Sequence, residues 1–225
     1  MTTYRATLKL HTAFGTPLAG DTLFGQLCWT AREHLGEAEL ERLLKGYTSD
    51  NPWLVVSDGF PSGYLPKPNV PASLVSANFV GANSFAHENT AIVGATDSHN
   101  AIENRSNTTI LPGLSPSGES SQFEPTAYLT LAPCAPQGLG FDGDKSYWRV
   151  ITRFGRHGNL HGLSSKPFKN PVLLAATAAV FVPQDAYTPS QFIGQGLGGD
   201  GQLSKIEPAT VQQGYAPVVG IRMEV

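Results

Sequence analysis

Period-two alternation at both ends of the chain constrains the fold more than any other feature. Tyr4, Ala6, Leu8 and Leu10 point one way, and Arg5, Thr7 and Lys9 the other. Near the end, Val219, Ile221, Met223 and Val225 make an apolar face opposite Arg222 and Glu224. Strand side chains alternate between faces, so each run predicts a half-buried strand. The first is followed by the turn FGTPLAG and then a helical pattern. Leu23, Leu27, Ala31 and Leu35 recur four residues apart, with Phe24 and Cys28 beside them and Asp21 or Thr22 as the expected cap. A second helix is expected over Glu37–Lys45, with acids leading, bases trailing and Gly46 at its end.

The middle of the chain reads as strands and long turns. Five prolines between Asn51 and Pro71 forbid a long helix there. Residues 69–107 hold seven asparagines, which favour turns and also supply neutral donors and acceptors for base edges. PGLSPSGESS (112–121) is a loop or hairpin tip. Tyr147–Phe154 predicts a strand with Trp148, Val150 and Phe154 on one face and Arg149, Ile151 and Arg153 on the other. Val172–Val182, nearly continuous and apolar, predicts a buried strand. Strands at both ends with helices after the first point to an α+β fold with an antiparallel sheet. At 225 residues one large domain suffices.

Charge is unevenly spread. The net charge is −3, but residues 1–144 carry −7, residues 145–184 carry +6 with no acid at all, and residues 185–225 carry −2. A basic island of this kind is either a solvated strand surface or a track for phosphates. The two cysteines, Cys28 and Cys134, lie far apart without metal or redox spacing, as expected of buried thiols in a reducing cytoplasm. MTTYRATLKL has neither the basic nor the apolar region of a signal peptide, and no apolar run reaches membrane-spanning length.

Several motifs lose their usual meaning in context. IGQGLGGDG (193–201) contains GxGxxG twice, but no strand leads into it and no helix follows, so a dinucleotide site is excluded. Its glycines imply a backbone that approaches something closely, another strand or an RNA backbone. His157 and His161 have half of a zinc spacing, yet Gly155, Gly158 and Gly162 argue against the helix such a site needs. The same loop, with Arg153, Arg156, Lys166 and Lys169, suits phosphate. A ribonuclease would need two titratable groups converging on one 2′-hydroxyl, which a sequence cannot demonstrate. Gly25 stands inside an apolar helix, where it costs about 1 kcal/mol of propensity. It is expected to admit a close neighbour in the core, an RNA or a partner subunit.

Three stretches together carry a resemblance: TPLAGDTLFGQLCW (16–29), HNAIENRSNTT (99–109), and GQGLGGDGQLS with TVQQGYAPVV (194–204 and 210–219). They resemble the Cas-five-like group of the CRISPR-associated RAMP superfamily, most closely its type IV form and next its type III form. The resemblance implies a single domain over residues 1–225. It has a ferredoxin-like (RRM-like) antiparallel core, a β-hairpin thumb over about 75–127 and a glycine-loop region over about 185–225. It implies a non-catalytic subunit in the cytoplasm, without cofactor or metal, that binds the crRNA 5′ handle. Its partners would be the large subunit and the backbone subunit of an effector complex, with target DNA close by. The alternative is a metal-independent endoribonuclease that processes precursor crRNA. Phosphate contacts are expected from Arg153, Arg156, His157, His161, Lys166 and Lys169, and thumb contacts from Asn100, Asn104 and Arg105. Gly198, Gly199 and Tyr215 are the candidates in the glycine region.

Overall fold

A computed structural model describes residues 2–9, 11–12, 15–61, 64–71, 108–109, 125–136, 140–158, 162–184 and 191–223. The fold is α+β. Helices α1 (Gly20–Leu35) and α2 (Glu37–Leu44) come first, joined at Gly36, whose positive φ (92°) ends one helix and begins the other. Strands follow: β1 (Leu65–Pro66), β2 (Thr108–Thr109), β3 (Ala127–Thr130), β4 (Phe141–Tyr147), β5 (Val150–Arg153), β6 (Val172–Ala175), β7 (Val180–Pro183), β8 (Phe192–Gly194), β9 (Leu197–Gly198), β10 (Val211–Gln212) and β11 (Tyr215–Ile221). Five of them make one antiparallel sheet in the order β4-β7-β3-β11-β8. β5 and β6 form a separate two-stranded ribbon, as do β1 with β2 and β9 with β10.

The core lies on the central strands. Leu129, Val180 and Ile221 form one buried cluster with Met223, and Phe181, Ile193, Ala216 and Cys134 form another. A third joins helix to sheet: Phe24 stacks on Tyr47 at 4.8 Å, and Tyr47 meets the edge of Tyr215 at 5.3 Å. Burying Phe24 alone contributes roughly 1.5–3 kcal/mol. The Tyr215 hydroxyl donates to the Tyr47 carbonyl, so the polar tip is satisfied inside.

Several expectations are corrected. Residues 2–9 form no strand and are exposed, Tyr4 and Leu8 included. In α1 the buried face is Phe24 with half-buried Cys28, while Leu27 and Leu35 are exposed; the aromatic pocket of Tyr47 and Tyr215, not the leucine stripe, sets the helix rotation. The run Val172–Val182 is broken at 176–179, where Ala179 N–H bonds Ala176 O and Ala178 takes φ +68°. Its two halves join different sheets. Tyr147–Phe154 is likewise divided, at Trp148-Arg149, between the end of β4 and the start of β5. The region expected as a thumb falls outside the described residues except at 108–109 and 125–127.

Candidate nucleic-acid interface

The basic island folds as an alternating surface. Antiparallel bonds tie residues 155–157 to 167–169: Lys169 N–H donates to Gly155 O (2.7 Å), His157 N–H to Pro167 O (2.8 Å), and Arg156 bridges Phe168. Because extended residues alternate, this pairing sorts the side chains by parity. Trp148, Val150, Thr152, Phe154 and Arg156 on one run, with Lys166 and Phe168 on the other, are all exposed. Arg153, His157 and Lys169 turn inward. The expected phosphate set is thus split, with Arg156 and Lys166 outside and Arg153, His157 and Lys169 within; His161 lies outside the described residues.

The inward residues have partners of their own. Arg153 grips Asp21 with two hydrogen bonds, Nη2 to Oδ1 at 2.6 Å and Nε to Oδ2 at 3.0 Å. The Asp21 side chain is only 8% exposed. This fork holds the Arg153 guanidinium above its usual range. Asp21 therefore does not cap α1. The capping carboxylate is Asp58, reached across 38 residues: Gly20 N–H donates to its Oδ1 (2.7 Å), and the Thr177 hydroxyl donates to its Oδ2. Burial pushes the Asp58 carboxyl up, against those two hydrogen bonds. Lys169 is pushed down by burial, with Asp21 acting in the opposite direction. His157 is buried with Nε2 at 3.2 Å from the Ser204 hydroxyl. These contacts seat the base of the loop, and on its outer face Arg156 donates from Nη2 to Gly162 O (2.8 Å) while its side chain remains exposed.

The Arg153–Asp21 pair ties the basic ribbon to the first turn of α1. Gly20 itself is the glycine that the geometry requires, since an added Cβ would lie 2.5 Å from Val56 O. At Gly25 the same Cβ would meet nothing within 4 Å among the described residues, so Gly25 serves no core contact there. Val56 is held in turn by the Gln213 amide, which accepts from its N–H (2.8 Å) and donates to its carbonyl (2.7 Å).

The glycine region answers its own question. A Cβ on Gly194, Gly196 or Gly198 would strike Gly214 O, Tyr47 O or Thr210 O, so these glycines make way for the chain's own backbone. Gly199 is exposed, at φ +81°, with its nearest neighbours 3.8 Å from an added Cβ. Tyr215 is fully buried and belongs to the core. Asn69, in the asparagine-rich stretch, ties the turn between β6 and β7 by donating to Thr177 O and Ala178 O. Asn100, Asn104 and Arg105 are outside the described residues.

Sequence reading misses Asp58, Thr177 and Gln213. A usable signal exists for one of them: Asp58 follows the apolar run WLVVS, where a lone acid implies a bonded carboxylate. Among the described residues, no helix is long and apolar enough to cross a membrane. No protein-family model matches this chain, and no curated protein matches it either.

Proposed function

We propose that this chain is a non-catalytic RNA-binding subunit that clasps a crRNA 5′ handle at one end of a CRISPR effector complex. In this reading the sheet is a ferredoxin-like core, and the large subunit and the first backbone subunit flank it. The target DNA runs nearby once it pairs with the guide. The observation that carries the reading is the outward face of the acid-free segment 145–184. There Arg156 and Lys166 stand with Phe154 (62% exposed) and Phe168 (60% exposed). Cations beside solvent-facing rings are what single-stranded RNA needs: ammonium and guanidinium groups for phosphates, ring faces for unstacked bases. The two exposed phenylalanines give unstacked bases a surface to stack on.

Arg153, His157 and Lys169 act as positioning residues in this mechanism. They hold the loop so that Arg156 and Lys166 meet the strand without first ordering it. Asn100, Asn104 and Arg105 contribute from the thumb, and the Gly199 backbone remains open to close approach.

The test is incubation of the full chain with a repeat-derived RNA in EDTA. The expected result is a retained, intact RNA whose binding is lost in Arg156→Glu/Lys166→Glu. Specific cleavage abolished by one His→Ala change would replace this reading with the endoribonuclease. RNA retention unaffected by both charge reversals would refute the proposed surface.

A further inference from the structure

Beside Trp148 a groove of about 460 Å³ opens between β4 and the β5–β6 ribbon, lined chiefly by Phe141, Ser146, Trp148, Val150, Leu173 and Phe181. We propose that it receives one unstacked nucleobase of the bound strand, and so serves as a base-reading site distinct from the phosphate contacts. The inference rests on the RNA-binding reading above.

Four observations commit the groove to a planar, neutral ring. First, its aromatic groups form a column: Phe141 and Phe181 have centroids 5.0 Å apart, and Trp148 stacks on Phe181 at 5.9 Å and 21°. Trp148 is the outermost member and remains 45% exposed, so the column ends on an accessible indole. Another flat ring extends it, since offset stacking is the preferred aromatic arrangement. Second, among the described residues no charged side chain lines the groove, which suits a neutral base and not a phosphate. Third, its volume lies within the range of about 300–1,000 Å³ typical of small-ligand sites. Fourth, a polar group is present to orient the ring. Ser146 is buried, its Oγ accepts the Val182 N–H at 2.9 Å, and among the described residues no acceptor takes its own hydrogen, which can reach an acceptor on a base edge.

The position of the groove links it to RNA. Trp148 and Val150 share the exposed parity of β5 with Thr152 and Phe154. From Val150 to Phe154 the strand advances about 13 Å. Exposed Leu173, opposite Thr152 on β6, continues the same face. A strand whose phosphates follow Arg156 and Lys166 can therefore lay a neighbouring nucleotide over the groove mouth.

The experiment is an abasic scan. A short single-stranded RNA, and the same strand lacking one base at a time, are titrated against the wild-type chain, Trp148→Ala, Trp148→Phe and Leu173→Glu. Thermal unfolding verifies that each variant is folded. One abasic position is expected to weaken wild-type binding about 5- to 100-fold, as loss of a stacked base does. Trp148→Ala should lose a similar factor, and that abasic position should then cost it nothing more. Trp148→Phe should retain most of the affinity. Leu173→Glu, which places a carboxylate at the rim without touching the column, should behave like Trp148→Ala and keeps the test decisive if the alanine variant fails to fold. If Arg156→Glu abolishes binding while no abasic position couples to either groove variant, the base site is refuted and the phosphate surface stands. If RNA affinity is unchanged in both groove variants but association with another effector subunit is lost, the groove holds a protein side chain and the inference fails. If no RNA is bound at all, the functional reading falls and this site falls with it.

Discussion

Arg153 and Asp21 show how a single contact reassigns a residue. A two-point fork on a carboxylate that is 8% exposed leaves Arg153 little freedom to seek a phosphate. Removing the cation strands a buried anion, so Arg153→Ala is expected to cost about 3 kcal/mol, near the lower end for broken buried pairs because Arg153 itself is partly exposed. In urea unfolding, Asp21→Asn combined with Arg153→Ala should lose distinctly less than the two single changes added together. Simple additivity would show that the pair carries no coupling. The cysteines give a second prediction at this scale. Burial pushes Cys134 up to about 12 and Cys28 up to about 11, from an ordinary 9.0. Only the thiolate reacts, and its fraction grows with pH until the thiol's own value is reached. Alkylation of Cys28 at pH 8 should therefore run about a hundredfold slower than that of a free thiol, accelerating about tenfold per pH unit. A rate close to that of free cysteine would contradict the burial. The sequence could flag the six basic-loop candidates but not sort them, because parity within the loop depends on the 155–157 to 167–169 pairing. Nothing local specifies that pairing.

Among the elements, α1 is fixed by its first turn. Its N-terminus is capped by Asp58, its approach is set by Gly20 against Val56 O, and its register is set by Phe24 in the Tyr47–Tyr215 pocket. Two glycines in one helix should consequently respond in opposite ways. Gly20→Ala forces a Cβ to 2.5 Å from a backbone oxygen and should destabilise by about 1–3 kcal/mol. Gly25→Ala adds a methyl group in open space and should stabilise by up to about 1 kcal/mol through helix propensity alone. Thermal melts of the two variants decide this, and a loss at Gly25 would mean that the helix is seated differently. Both helices were legible in the sequence, α2 to within one residue, because their periodicity, terminal charges and flanking glycines agree. The division of Val172–Val182 was not legible. Its turn is built from alanines and Thr177, with no glycine or proline to mark it, and it is held by Asp58 from more than a hundred residues away. The expected first strand failed in a different way: residues 4–8 alternate correctly, but among the described residues no sheet edge pairs with them, and alternation without a partner does not make a strand.

For the whole molecule, an acidic chain turns Arg156 and Lys166 of its basic island outward and holds Arg153 and Lys169 inward, near Asp21. The α+β class and antiparallel sheet could be read from the two helical patterns and the C-terminal alternation, not from the N-terminal one, and strand order depends on long-range pairing that no window reports. The RNA-clasping account depends on Arg156 and Lys166 releasing counterions from a single strand. Each phosphate contact contributes about −0.7 to the slope of log affinity against log salt. The decisive measurement is that slope for the full chain and a single-stranded handle RNA, before and after Arg156→Glu/Lys166→Glu. The account predicts a clear negative slope for the wild type, made shallower by about 1.4 in the double variant. A slope near zero, or one identical in the two proteins, would contradict it.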